Sequence, residues 1–244
     1  MIDWLRDDRQ PQVVAIGGRE VPVAIRRHAR AQRLTMRLAP DGSEVRITLP
    51  PWGRTADALV FARSRREWLE RQIAAIPSAA PPAPGGALTY RGERLAIEWG
   101  AQHPRTPRLA QGRILLGGAE DAVPARLRRW LEGEALRLAG EDLGFYCARA
   151  GVPTPALALS RAQRRWGSCS KSAGRGEAVR INWRLVQAPD AVRRSVVAHE
   201  VAHLLHFDHS PSFHALLARL YEGDLAAADR WLRQEGRGLY AAFG

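Results

Sequence analysis

The sequence predicts an α+β fold, in which an antiparallel β portion with one helix precedes a set of helices packed on a small sheet. Three observations support this prediction. Short stretches of alternating apolar and polar residues, which are typical of strands, occur before residue 50. Longer segments with apolar residues at helical spacing fill the second half of the chain. A segment rich in proline, glycine and alanine, residues 77–87, separates the two parts.

The first part, residues 1–76, is predicted to contain strands followed by a helix. The segment Pro40-Asp41-Gly42 separates two of the alternating stretches as a turn would, which indicates an antiparallel meander or hairpin. The helix that follows can be capped by Thr55, and its apolar face ends at Pro77. The predicted strands cover residues 21–25, 34–38 and 45–49.

The second part begins after residues 77–87, which we interpret as a linker or loop. Residues 88–121 are predicted to form a hairpin around Gly92 and one further strand at 113–116. Residues 122–244 are predicted to form the core, and the sequence shows no internal repeat. The elements expected in this core are a helix at 124–150, strands at 156–160 and 179–185 with a polar loop between them, and helices at about 189–206, 211–221 and 224–235.

Positive charge dominates the composition. The formal net charge is +12, and Lys171 is the only lysine among 37 basic residues. Arginine suits phosphate, so a nucleic acid or nucleotide partner is one interpretation. The coding bias of a GC-rich genome is the other, and we favour it because the arginines are spread along the chain without a compact basic run.

Cysteine content and hydropathy predict a cytoplasmic protein with no membrane partner. Cys147 and Cys169 match neither a paired metal clip nor a disulfide framework, which favours a reducing compartment. The first ten residues mix apolar and charged side chains and lack the apolar core of a signal peptide. No stretch approaches the roughly 18 apolar residues of a membrane helix.

The strongest motif is His199-Glu200-Val201-Ala202-His203, an HExxH sequence inside an apolar helical pattern. Four residues advance an α-helix by about 400°, so the two imidazoles project from nearly the same face and can share one metal ion. Glu200 can take a proton from a metal-bound water and deliver it to the leaving group. Zn²⁺ fits best, since a site with three protein ligands leaves the fourth position open for water.

Two histidines compete for the third ligand position. In an unbroken helix His206 returns to the face of His199 and His203, but the three rings would then form a row instead of converging. His209 can converge only if the helix ends first, and Ser210-Pro211 provides such an ending. We therefore predict that His199, His203 and His209 bind the metal.

Residues 199–213, together with the segment Arg165-Trp-Gly-Ser-Cys-Ser170, resemble the YgjP-like metallohydrolase family. That family's pattern is HExxH, five residues, and a third histidine followed by serine and phenylalanine. The resemblance spans nearly the whole chain and implies a zinc-dependent hydrolase with a minimal gluzincin-like core, with His209 as the third ligand. Two residues depart from the pattern: Asp208 stands where asparagine is usual, and His214 stands where an aromatic residue commonly follows.

Several other residues are candidates for contacts around the metal. Trp166 and Ser168 could lie on an edge strand that aligns an extended substrate, although ordinary packing is the favoured role of Trp166. His214 and Tyr221 could stabilise an oxyanion. The remaining candidates are Arg165, which with Arg164, Arg180 and Arg184 could bring positive charge to the cleft, and Asp208 or Asp224, which could orient a ligand ring.

The sequence therefore predicts a zinc-dependent, metallopeptidase-like hydrolase in which Glu200 activates a zinc-bound water. One alternative keeps the metal and uses an arginine-lined cleft for a nucleotide or another phosphoester. A second alternative is a DNA-associated metalloprotease, with basic strands on the phosphates. The expected partners are thus a polypeptide or a phosphate-bearing substrate, with nucleic acid as a further candidate.

Overall fold

The computed structural model describes residues 12–74, 81–163, 165–172 and 176–243. Helices and three small mixed sheets make up this part of the chain, which confirms the α+β class. The chain divides into two compact units, residues 1–78 and 79–244, and the finer division expected from the sequence stays a prediction. The first ten residues, Arg164 and residues 77–80 of the expected linker lie outside the described residues.

The first unit is a four-stranded sheet with two helices packed on one face. The sheet has the order β1-β2-β4-β3, and its inward face packs against Ala58, Ala62 and Leu69 of the helices. The elements are β1 (Val13–Ile16), β2 (Arg19–Arg27), β3 (Thr35–Leu38), β4 (Val45–Leu49), α1 (Thr55–Ser64) and α2 (Arg66–Ala74).

Two details of this unit differ from the prediction. The expected hairpin joins β3 to β4, but β2 lies parallel to β4, so the three strands do not form a simple meander. The expected single helix is interrupted at Arg65, and its N-cap is Arg54, whose backbone N–H donates to the Asp57 carboxylate at 3.3 Å. Thr55 is the first helical residue, and its hydroxyl accepts a hydrogen bond from Arg27 at 3.1 Å.

The second unit begins with a sheet of order β5-β6-β8-β7. The predicted hairpin is present between β5 and β6, with Arg91 and Gly92 at positive φ in its two-residue turn. A short strand that the sequence pattern did not indicate, β7, adds an outer edge. The strands are β5 (Ala87–Tyr90), β6 (Glu93–Trp99), β7 (Arg108–Ala110) and β8 (Arg113–Leu116).

The two four-stranded sheets share one topology. In each sheet, the first two strands form an antiparallel hairpin, and the fourth strand lies parallel to the second. The third strand pairs antiparallel with the fourth at the far edge. In each, helices follow the last strand along the chain. The structure thus contains a repeated arrangement that the sequence, read by itself, does not show.

The rest of the second unit surrounds the HExxH helix. Strand β11 lies between β9, to which it is parallel, and β10, to which it is antiparallel. The long helix α3 packs against α4, which in turn contacts α5, α6 and β10. The elements are α3 (Val123–Ala150), β9 (Ala156–Ser160), β10 (Gly167–Ser172), β11 (Gly176–Asn182), α4 (Asp190–Leu205), α5 (Pro211–Leu220) and α6 (Leu225–Glu235).

Two expectations for this region are wrong. The polar segment between the predicted strands contains β10, because serine and lysine side chains suit the exposed edge of a sheet. The predicted strand at 179–185 ends at Asn182, whose side chain accepts the backbone N–H of Arg184 at 3.1 Å. The chain then continues as a 3₁₀ helix, Trp183–Gln187.

A buried ion pair fixes α4 to α3. Nε of Arg193 donates to Asp142 at 2.8 Å, and both side chains are 4% exposed. Arg193 also reaches Asp190 at 2.5 Å, and Arg194 donates to the second oxygen of Asp142 at 3.0 Å. The HExxH helix is therefore held by charged hydrogen bonds as well as by its apolar side chains.

Among the described residues, no helix is long and apolar enough to span a membrane.

Candidate metal centre

Helix α4 carries the first two histidines of the site, and its end brings in the third. The helix stops at Leu205, and His206 takes an extended conformation with φ −133° and ψ 104°. Ser210 then caps α5, with its hydroxyl accepting the backbone N–H of Phe213 at 3.4 Å and Pro211 in the first helical position. The short turn between the two helices returns His209 toward α4.

The imidazoles of His199, His203 and His209 converge on one point. The Nε2 atom of His199 lies 3.1 Å from Nε2 of His203 and 3.4 Å from Nε2 of His209. One ring nitrogen from each histidine lies within 4.8 Å of the others, and His206 is not part of the group. Three converging imidazole nitrogens can hold a single metal ion such as Zn²⁺.

A backbone carbonyl fixes the orientation of His203. The Nδ1 atom of this ring lies 2.9 Å from the carbonyl oxygen of His206. Because a carbonyl oxygen only accepts, Nδ1 carries the proton and the lone pair of Nε2 points to the centre of the triad. Asp224, expected as a possible orienting group, instead caps α6 by accepting the N–H of Ala227 at 3.0 Å.

Phe213 is the apolar support of the three rings. Its ring centroid lies 5.0 Å from that of His199, 4.6 Å from that of His203 and 4.8 Å from that of His209, and the side chain is fully buried. Burial, followed by the neighbouring imidazoles, lowers the pKa of His199 to about 4. The ring is therefore neutral at pH 7, which is the form that binds a metal.

The side chain of Glu200 projects from α4 toward strand β10. Its side chain is buried, and its carboxylate accepts the backbone N–H of Cys169. Burial raises the pKa of Glu200 to about 7, while the Cys169 amide and the charge of Arg165 act in the opposite direction. A carboxyl group with such a pKa can both accept and release a proton near neutral pH.

A cavity of about 620 Å³ opens beside His199 and Glu200, between β10 and the last three helices. Its walls are mostly apolar, and they come from α4, α5, α6, the two residues that precede β10 and Gly167 at the start of β10. The apolar lining residues are Trp166, Val196, Leu217, Leu225, Ala226 and Leu232, and the polar ones are Arg165, Ser195, His214 and Asp229.

The structure brings three of the predicted contact residues to this cavity and leaves two away from it. Arg165, Trp166 and His214 are lining residues. Ser168 lies on β10 opposite Arg180 and does not line the cavity. Tyr221 is buried, and its hydroxyl donates to the carbonyl of Ala191 at 2.8 Å.

Of the three predicted arginines that the structure describes, one contributes to the cavity. Arg165 is the one arginine that lines it within the described residues. Arg180 is exposed on β11, and Arg184 is buried with its guanidinium carbon 4.8 Å from the ring of Trp183 and 4.5 Å from that of Tyr240. Among the residues that the structure describes, the cleft next to Glu200 is therefore lined mostly by apolar side chains, with the guanidinium of Arg165 at its wall.

The comparisons with known proteins identify one family. A family model described as YgjP-like, metallopeptidase domain, matches residues 32–235. The matched range runs from just before β3 to the end of α6 and includes the three histidines, Glu200 and the lining of the cavity. The comparisons with curated proteins and with solved structures gave no match.

Proposed function

The chain belongs to the YgjP-like family of metallopeptidase domains, which makes it a metal-dependent hydrolase, and from this premise we propose that it is a zinc peptidase. In this proposal His199, His203 and His209 are the metal ligands, and Glu200 is the general base and acid. The observation that carries it is that the buried Glu200 and His199 of the converging triad line the same apolar cavity.

The residues at the centre suit zinc. The donors are three imidazole nitrogens, one of them fixed in its tautomer by the carbonyl of His206. Three nitrogen ligands with an open fourth position are typical of catalytic zinc sites. When bound, Zn²⁺ would polarise the scissile carbonyl and lower the pKa of water.

Glu200 would carry the protons of the reaction. The N–H of Cys169 holds its carboxylate in place, so that the carboxylate can take the proton of the attacking water. The same carboxyl group can then give that proton to the departing amine. Its burial raises its pKa to about 7, which suits a carboxyl group that must both accept and release a proton near neutral pH.

The walls of the cavity favour a polypeptide over a phosphoester. An apolar side chain next to the scissile bond could bury its surface against Val196, Leu217 and Leu232. A triphosphate would require several positive side chains, but Arg165 is accompanied on the described lining by Asp229, which carries the opposite charge. We therefore place the phosphoester alternative second.

The test is a substrate screen of the zinc-loaded protein on an unfolded labelled polypeptide and, separately, on nucleoside triphosphates. We expect cleavage of the polypeptide, and we expect Glu200→Gln to lose at least about a hundredfold in turnover with its zinc retained. Glu235→Gln, a change of the same kind at an exposed position, should leave the rate unchanged. Phosphate release without polypeptide cleavage would contradict the peptidase assignment, and equal turnover in Glu200→Gln would remove Glu200 from the mechanism.

A further inference from the structure

The first unit contains a compact basic segment, contrary to the expectation that the arginines are spread along the chain without a basic run. Residues 26–37, RRHARAQRLTMR, include five arginines and one histidine and no acidic residue. They form the end of β2, the connection after it and β3. Its arginines are exposed, so this segment presents a dense positive charge to solvent.

Part of this charge lies on the open face of the sheet. Side chains alternate along the strands, and Val23 and Val45 are buried against the helices, so Arg26 and Arg46 point the other way. Arg37 lies directly opposite Arg46 in the register of β3 and β4. Like charges in facing positions destabilise a sheet. A purely structural role of this sheet therefore does not explain the facing pair of arginines.

Few acidic groups compensate these arginines. Arg46 pairs with Glu44 at 2.5 Å, whereas Arg26, Arg30, Arg33 and Arg37 make no ion pair within the described part of the chain. Over residues 12–74, there are twelve arginines and six acidic residues. The surface is thus open to an anionic partner.

An exposed tryptophan lies at the same end of the sheet as the basic connection. The backbone N–H of His28 donates to the carbonyl of Leu49 at 3.0 Å, which holds the connection beside the end of β4. Trp52 follows Leu49 by three residues and is 73% exposed. Arg27 also reaches Thr55, just beyond Trp52, at 3.1 Å. An exposed indole at the same end of a sheet as several arginines is a combination that can bind bases by stacking and phosphates by charge.

We propose that this surface of the first unit binds single-stranded nucleic acid. The phosphates would lie along Arg26, Arg30, Arg33 and Arg37, and a base would stack on Trp52. The guanidinium groups suit phosphate because each can donate two parallel hydrogen bonds. The indole favours a single strand, since the bases of a duplex are already stacked on each other. This function goes beyond peptide hydrolysis and does not require the histidine triad.

The experiment measures binding of a short labelled DNA or RNA strand to the zinc-loaded full chain by fluorescence anisotropy at several salt concentrations. Reversal of charge in the double variant Arg30→Glu, Arg33→Glu should weaken binding at least about tenfold at low salt and make the salt dependence shallower. Trp52→Ala should weaken it at least about fivefold, the effect of losing one stacked base, with the salt dependence unchanged.

The matched control is the double variant Arg63→Glu, Arg71→Glu, which reverses two exposed charges on the helices that cover the opposite face of the sheet. It should keep the parent affinity within about twofold. The proposal is overturned if no strand binds at low salt, or if the control variant loses as much affinity as the Arg30, Arg33 variant. Equal affinity for vesicles of anionic lipid, with no effect of Trp52→Ala, would also overturn it, because charge alone would then explain the binding.

Discussion

Gly167 lies directly against the carboxylate of Glu200. A Cβ atom at position 167 would be 2.4 Å from Oε1, 2.8 Å from Cδ and 2.7 Å from Cγ of Glu200. These distances are far below van der Waals contact, so only glycine leaves room for the side chain of the proposed base. Two residues further along β10, the N–H of Cys169 donates to the same carboxylate. Strand β10 therefore shapes the position of Glu200 through its backbone.

We predict that Gly167→Ala will lower turnover by at least about tenfold while zinc content stays at the parent level. The added methyl group must displace the Glu200 carboxylate, and small displacements of a catalytic group cost large factors in rate. Turnover and bound zinc of the same preparation are the measurements. Gly133→Ala is the matched control, since a methyl group there meets nothing within 4 Å. Parent turnover in Gly167→Ala would show that the contact does not position Glu200.

The part of the site that depends on side-chain patterns could be predicted from the sequence. The HExxH spacing places His199 and His203 on one face of a helix, and Pro211 indicates where that helix must end before His209. Backbone contributions were not predictable in this way. The carbonyl of His206 and the amide of Cys169 belong to residues of any type, so no residue pattern marks them.

The positions of the strands along the chain are easier to predict from the sequence than the pairing of one strand with another. Alternation of apolar residues identifies β2 and β4, but it carries no information on which strand lies beside which. The parallel pairing of β2 with β4 recurs between β6 and β8, although the two segments share no visible repeat. The sequence of β10 predicts a loop, because serine, cysteine and lysine do not give the apolar alternation that marks a strand.

The buried ion pair between Asp142 and Arg193 gives a prediction on stability. Asp142→Ala leaves Arg193 as a buried guanidinium without this partner, which should lower the free energy of unfolding by about 3–5 kcal/mol. Denaturant unfolding followed by circular dichroism measures the loss. Glu141→Ala is the control, because its carboxylate pairs with Arg137 on the surface and should contribute less than about 1 kcal/mol. Similar losses in the two variants would mean that α4 is held to α3 by packing alone.

The apolar cavity gives a prediction on substrate preference. Ala226 lines the cavity and is itself exposed, so Ala226→Trp should fill part of the cavity without disturbing the core. We expect kcat/KM to fall at least about tenfold for peptides with a large apolar residue next to the scissile bond, and much less for peptides with alanine there. Ala218→Trp, on an exposed position of α5 away from the cavity, should leave both values unchanged. An equal loss for both peptides would show that the cavity does not select the side chain.

The third metal ligand can be identified by the zinc content of two alanine variants. His209→Ala removes one of the three converging nitrogens, so we expect it to lose zinc during dialysis against a weak chelator that leaves the parent loaded. His206→Ala should retain its zinc, because His206 acts on the site through its backbone carbonyl, and alanine keeps that carbonyl at 2.9 Å from Nδ1 of His203.

The two variants are matched, since each replaces one histidine of the same turn between α4 and α5. Their contrast therefore separates loss of a ligand from general loosening of the turn. Were the turn itself the cause, both variants would release zinc to the same extent. The reverse pattern, with zinc kept in His209→Ala and lost in His206→Ala, would mean that helix α4 continues past Leu205 when metal binds and that the row of imidazoles along its axis is the true site.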